Sequence, residues 1–159
     1  MQVFDFDLKT DKIESLAAIF KNEAILDCGI YHFQRTVPSL SLDQIIMIAS
    51  YDLAQVESLF SHGEIHYAAS VEREEIKILT LTLRLNSGSI VKYVLCSGAD
   101  LKTRLRFNFS VAGRVFEYDD FQAYLETNIP QQAQSTLSEK YPYDLVRERI
   151  LAHLEVSHD

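Results

Sequence analysis

The sequence predicts an α+β domain in which a curved, mainly antiparallel sheet of about five to six strands is covered on one face by helices and followed by a helical C-terminus. Three observations lead there. Between residues 64 and 118 apolar side chains recur every second position, the period of a half-buried strand. Before that stretch, two segments opened by capping-box residues carry apolar side chains at three- and four-residue spacing, the period of an amphipathic helix. After it, helical spacing returns.

The elements follow in order. Val3 to Leu8 places Phe4, Phe6 and Leu8 opposite Asp5 and Asp7, as a short strand would. Asp11 with Glu14 can cap a first helix whose stripe is Ile13, Leu16, Ala17, Phe20 and Ala24, stopped at Gly29. Ile30 to Thr36 is rich in aromatic and branched residues and ends before Pro38, whose ring forces the preceding residue into extended geometry. Ser41 with Gln44 opens a second helix, which keeps Leu42, Ile45, Ile46, Ala49, Leu53, Val56 and Phe60 on one stripe. Leu79, Leu81, Leu83 and Leu85 alternate with polar residues, Asn86–Ser89 supplies a turn, and Ile90 to Cys96 returns. The stretch from Leu101 to Val111 alternates again, and Gly113 turns it into Arg114–Tyr118. A last helix is expected after Pro142, with Tyr143, Val146, Ile150 and Leu154 as its stripe.

With 159 residues, 47% hydrophobic and 24% charged, residues 1–159 read as a single domain large enough to bury a core. The N-terminus lacks a basic region followed by an apolar run, and no apolar stretch approaches the roughly 20 residues that span a bilayer. A cytoplasmic location is therefore expected. Cys28 and Cys96 form no metal-ligand spacing and are expected to stay reduced.

The charge is unevenly spread. Residues 1–72 hold 11 acidic and 4 basic side chains, residues 73–118 hold 4 and 8, and residues 119–159 hold 8 and 3. The sheet is therefore net basic between two acidic flanks. Two-residue alternation sets Lys102, Arg104 and Arg106 on one side of a strand, and with Arg84, Lys92 and Arg114 they form a candidate row for binding an anion or an acidic partner. A solvated sheet face accounts for the same residues. Nucleic acid is disfavoured by the net charge of -8 and by the absence of aromatic residues interleaved with the cations.

Signals for chemistry are sparse. His62, Glu64 and His66 could offer two imidazoles and a carboxylate to a metal, but a helix end and turn explain them without one. Glu75-Ile76-Lys77 matches the short end of a metal-dependent nuclease motif without a second acidic partner, and fits better as the polar hinge of a hairpin. Cys28 and His32 are four residues apart, a spacing that could pair a thiol with an imidazole but equally suits a small buried filler. Asp119-Asp120 could pair two carboxylates, and helix capping is sufficient use for them. No nucleophile elbow or phosphate-cradling glycine loop is present, so no catalytic residue, cofactor or metal is expected.

Met47 and Tyr51 fall on the otherwise polar side of the second helix, which makes them candidates for contact with the C-terminal helices or with a second subunit. The functional expectation is a small non-enzymatic domain that recognises a protein partner, as an inhibitor, immunity factor, chaperone or adaptor does. The alternative is a small-ligand binder or enzyme that uses the concave face of the sheet, with Tyr31, His32 and Tyr93 as pocket candidates.

Overall fold

The computed structural model describes residues 28–111, 114–119 and 143–158. Within them run β1 (Ile30–Val37), α1 (Leu42–Leu59), β2 (Gly63–Arg73), β3 (Ile76–Leu85), β4 (Ile90–Ser97), β5 (Arg104–Val111), β6 (Arg114–Asp119), α2 (Tyr143–His153) and β7 (Leu154–His158). The expected strand over residues 3–8, the first helix and the helical segment after Asp120 lie outside the described residues.

The fold is α+β, as expected, but its sheet is mixed. Among the described residues seven strands lie in the order β6-β5-β1-β4-β3-β2-β7. Most neighbours are antiparallel, while β1 with β4 and β2 with β7 are parallel. The short turns at Glu74-Glu75 and at Asn86–Ser89 do produce the antiparallel run β2-β3-β4. The meander stops there, because β1 inserts between β4 and β5: Phe33 pairs with Tyr93 on one side and with Phe107 on the other. The six residues between β4 and β5 let the chain step over the intervening strand, which a tight hairpin would forbid.

Two-residue alternation gives the sheet one apolar face. Tyr31, Phe33 and Val37 of β1, the leucines 79, 81, 83 and 85 of β3, Val91, Tyr93 and Leu95 of β4, and Leu105, Phe107 and Phe109 of β5 are all buried on it. Each such side chain contributes about 2 kcal/mol by leaving water, so this one face supplies most of the apolar burial that offsets chain entropy. The aromatic end is tightly grouped: Tyr31 stacks on Phe109 with ring centroids 4.2 Å apart and tilts against Phe60 at 5.0 Å.

Helix α1 covers that face. Its start is held by the expected box: Gln44 N donates to Ser41 Oγ at 3.2 Å and Ser41 N donates to Gln44 Oε1 at 3.0 Å. From Ile45 to Glu57 all but Met47 are buried, including Ser50, Asp52 and Gln55, so the helix is enclosed well beyond its apolar stripe. Helix α2 packs beside it through Val146 and Ile150. The expected helical C-terminus needs correction, since α2 ends at His153 and Leu154 begins a strand beside β2.

The β2–β3 hairpin turns at Glu74 and Glu75, both in the left-handed region with φ of 51° and 71°. Successive positive angles are the signature of the turn whose twist suits a two-residue hairpin, although Asn-Gly is the residue pair that adopts it at least cost. At the other end of the sheet Gly29 is required by close approach. A Cβ there would lie 2.5 Å from both a ring carbon of Phe109 and the carbonyl oxygen of Ser110.

Candidate functional site on the uncovered sheet face

Alternation that sends Tyr31, Phe33, Arg35 and Val37 under the helices sends Ile30, His32, Gln34 and Thr36 to the opposite face. Register then decides their neighbours. His32 stands between Lys92 of β4 and Asn108 of β5, Gln34 between Val94 and Arg106, and Ile30 between Ile90 and Ser110. These residues line a concavity of about 720 Å³, together with Phe33 and Phe107 from the same strands. On this face Ile30, at one end of the lining, and Val94, beside Gln34 towards the other, are apolar, while His32, Gln34, Lys92, Arg106, Asn108 and Ser110 carry hydrogen-bonding groups.

The same three strands are tied together from beneath. Arg35 donates from Nε to Asp52 Oδ2 at 2.6 Å and from Nη2 to Oδ1 at 2.7 Å. Tyr93 donates its hydroxyl to the same Oδ2 at 2.6 Å. Arg35, Asp52 and Tyr93 are 4%, 1% and 0% exposed, so one carboxylate of α1 clamps β1 to β4 in the interior. Burial first, and the adjacent Asp52 carboxylate second, raise the Tyr93 phenol well above its ordinary value and keep it a donor. The cluster is closed to solvent and has no room for a substrate, so its chemistry is positional.

A second clamp joins the helices to the sheet. Arg149 of α2 donates to Glu57 Oε1 at 2.5 Å and to the Gly63 carbonyl at 2.8 Å. His62 approaches the other Glu57 oxygen at 3.4 Å. Lys77 reaches the Leu40 carbonyl at 3.1 Å and Glu72 at 3.7 Å.

The structure separates several residues that the sequence grouped. Of the pocket candidates only His32 faces the concavity; Tyr31 and Tyr93 lie on the helix-covered face. Of the cationic row, Lys92 and Arg106 line the concavity, Arg104 stands further along the same face beside Thr36, and Arg84 lies on β3 beside Ile90. Lys102 lies before β5 begins, in the segment that connects it to β4. Tyr51 is 2% exposed and Met47 packs partly against the core, so the polar-looking side of α1 is enclosed within the chain and Tyr51 is not displayed for a second subunit.

The weaker motifs also disperse. Among the described residues no three His, Cys, Asp or Glu side chains are placed to hold a metal ion. His66 occupies a register irregularity in β2, and Glu75 sits in the hairpin turn. The thiol of Cys28 donates to the Ser87 carbonyl at 3.0 Å. Sequence reasoning named neither Arg35 nor Asp52 beneath the site. The signal for Arg35 was present in its parity, a lone cation on the side of the strand that carries Tyr31, Phe33 and Val37.

No protein-family model and no curated protein sequence matches the chain. Among solved structures it is similar to a myo-inositol dehydrogenase from Corynebacterium glutamicum, with a TM-score of 0.54 and 14% identity over 88% of this chain and 48% of that one. It is also similar to a scyllo-inositol dehydrogenase from Lactobacillus casei with bound NAD(H) and scyllo-inositol, with a TM-score of 0.49 and 12% identity over 91% and 53% of the two chains. A probable dehydrogenase from Thermotoga maritima is matched over 67% of this chain and 38% of that one, at 15% identity and a TM-score of 0.46. The chain therefore spans about half or less of the length of these proteins. At such identities the likeness is one of fold alone: the fold is one also found in part of a dehydrogenase, and this finding speaks against the expected non-enzymatic, protein-binding domain.

Proposed function

We propose that the chain is a ligand-binding domain of oxidoreductase type that takes a small polar molecule on the uncovered face of its sheet. The observation that carries this reading is the placement of His32, Gln34, Lys92, Arg106 and Asn108 around one concavity whose lining also includes Ile30 and Val94. A volume of about 720 Å³ falls within the range of small-molecule sites, and a few placed polar groups beside apolar surface are what such sites use for orientation. Central strands locked by the Arg35–Asp52–Tyr93 clamp supply the rigid support that a binding constellation needs.

The dehydrogenase likeness raises the question of a nicotinamide cofactor, and the described residues do not fit one. A dinucleotide site needs a glycine-rich turn between a strand and a helix, with helix amides free to meet the pyrophosphate. Here β1 leads to α1 through Pro38-Ser39-Leu40-Ser41, and Ser41 and Gln44 occupy the amides of the helix start. Neither α1 nor α2 follows a glycine-rich turn. No hydride step is assigned to these residues.

The test is nuclear magnetic resonance of the full chain with a library of small polyols, sugar acids and phosphosugars. Binders are expected to shift the amides of His32, Gln34, Lys92 and Asn108. A library without a single such binder would sink the reading. Added NAD(H) is expected to leave those four amides unchanged.

A further inference from the structure

We infer that the uncovered face of the sheet, around β3, is where two copies of this chain meet face to face with their strands antiparallel. Ile30, Tyr67, Ile76, Ile78 and Ile90 stand on that face, on the four adjacent strands β1, β4, β3 and β2, and are 37–49% exposed. Large apolar side chains gathered over four strands mark a contact surface, whereas a solvated sheet face carries them singly.

Register turns this surface into a grid. Thr80 of β3 lies at its centre between Ala69 and Val94, and Ile78 beside it lies between Val71 and Cys96. Charges come at the two ends of β2. Glu64 pairs with Arg84, four residues to one side of Thr80, and Arg73 pairs with Ile76, four residues to the other. Both side chains are exposed, and neither forms an ion pair among the described residues.

This pattern is complementary to itself, which is what a two-fold interface requires, since every contact in it occurs twice. A two-fold axis over Thr80, parallel to the sheet and at right angles to the strands, lays each strand on its own reversed copy. Tyr67 then meets the partner's Val71, the aliphatic stem of Arg84 covers the partner's Ile76, and Glu64 meets the partner's Arg73. The alternative axis, running along β3, would set Arg84 against itself. Sheets packed face to face lie about 10 Å apart and about 30° from alignment, an offset at the ends that the long Glu64 and Arg73 side chains can span. Four strands about 4.8 Å apart and ten residues rising about 3.3 Å cover about 600 Å² in plan. Pleated side chains raise that towards the roughly 800 Å² that each partner gives to a stable interface. The concavity of His32 and Gln34 lies on the β5 side of this surface and meets it at Lys92 and Val94, so the inference does not rest on the ligand reading.

Sedimentation equilibrium of the full chain is expected to show a dimer at about 100 µM that dissociates on dilution towards about 1 µM. Ile78→Asp is expected to leave a monomer at both concentrations. Glu64→Lys alone and Arg73→Glu alone are each expected to weaken the dimer about tenfold, because the two-fold axis counts each change twice, and the two together are expected to restore it. Thermal unfolding checks that each variant folds; the charge exchange on β2 decides the matter even where Ile78→Asp does not. A chain that is monomeric at about 100 µM, or a dimer indifferent to Ile78→Asp, would overturn the inference. Failure of the double exchange to restore the dimer would overturn the antiparallel pairing and the inference with it. A ligand library that leaves the His32 amide unmoved in the Ile78→Asp monomer counts against the ligand reading alone.

Discussion

Arg35 and Asp52 form a two-pronged ion pair inside the protein, with N···O distances of 2.6 and 2.7 Å and almost no exposure of either side chain. Because Tyr93 donates to the same carboxylate, removing Asp52 strands a guanidinium and a phenol in the core. Asp52→Ala is expected to cost about 3–5 kcal/mol and Tyr93→Phe about 1 kcal/mol, measured by urea unfolding. Replacing Arg35 with Met and Asp52 with Leu together is expected to cost less than Asp52→Ala alone, since no charge is then left unpaired. A cost below about 1 kcal/mol for Asp52→Ala would show that water reaches the cluster.

Two buried phenols make stability fall in alkali. Burial pushes the Tyr31 hydroxyl up to about 12, against a smaller opposing effect of its hydrogen bond with Ser89. Tyr93 is also raised, by burial and by the Asp52 carboxylate. Both pKa values are raised on folding, so the stability linked to them is present below the ordinary value of 10.0 and is lost as pH rises through the folded value. The unfolding free energy is expected to be level up to about pH 9 and to decline from about pH 10 upwards, with a shallower decline in Tyr31→Phe. An identical decline in that variant would remove Tyr31 from the account.

The hairpin at Glu74-Glu75 carries avoidable strain, because both residues hold positive φ and carry like charges side by side. Glu74→Asn with Glu75→Gly places in the turn the residues that adopt this geometry most readily. A gain of about 1 kcal/mol is expected, read as a higher melting temperature. No gain, or a loss, would mean that the two carboxylates contribute contacts that outweigh the strain.

Arg149 holds α2 against α1 and β2 through Glu57 and the Gly63 carbonyl. Arg149→Met leaves the Glu57 carboxylate, whose side chain is 5% exposed, without its main partner. The expected result is a loss of about 2–4 kcal/mol together with faster hydrogen exchange in β7, the strand that follows α2 directly. Unchanged exchange over Leu154–His158 would show that the edge strand holds its place without the clamp.

What the sequence revealed and what it hid follow from what periodicity encodes. Two-residue alternation states which face a side chain takes, and so it exposed β3, β4 and β5 and the polar row that contains Arg104 and Arg106. It is silent on which strand lies next door. The insertion of β1 between β4 and β5 brings Lys92 to His32 across 60 residues of sequence, and no local pattern records that pairing. β7 escaped because Leu154 extends the helical stripe of Val146 and Ile150, while the alternation of a five-residue strand is too short to compete with it. Tyr51 and Asp52 looked like the wet side of an amphipathic helix. They are dry because that helix is enclosed around most of its circumference, a property of its neighbours and not of its own sequence.

The central position of β1 also sets the order of assembly. Both its partners, β4 and β5, emerge later from the ribosome, so β1 waits for residue 97 to complete its partner on one edge and for residue 111 to complete its partner on the other. The β2-β3-β4 hairpins close locally and quickly, whereas threading β1 beside β4 means closing a loop of about 60 residues before any contact rewards it. The clamp that holds the finished sheet is thus also its latch: Asp52 meets Tyr93 and Arg35 together only when the last central strand has arrived. Pulse-labelled hydrogen exchange is expected to protect Leu81 and Leu83 before Phe33, and protection of Phe33 first would reverse that order.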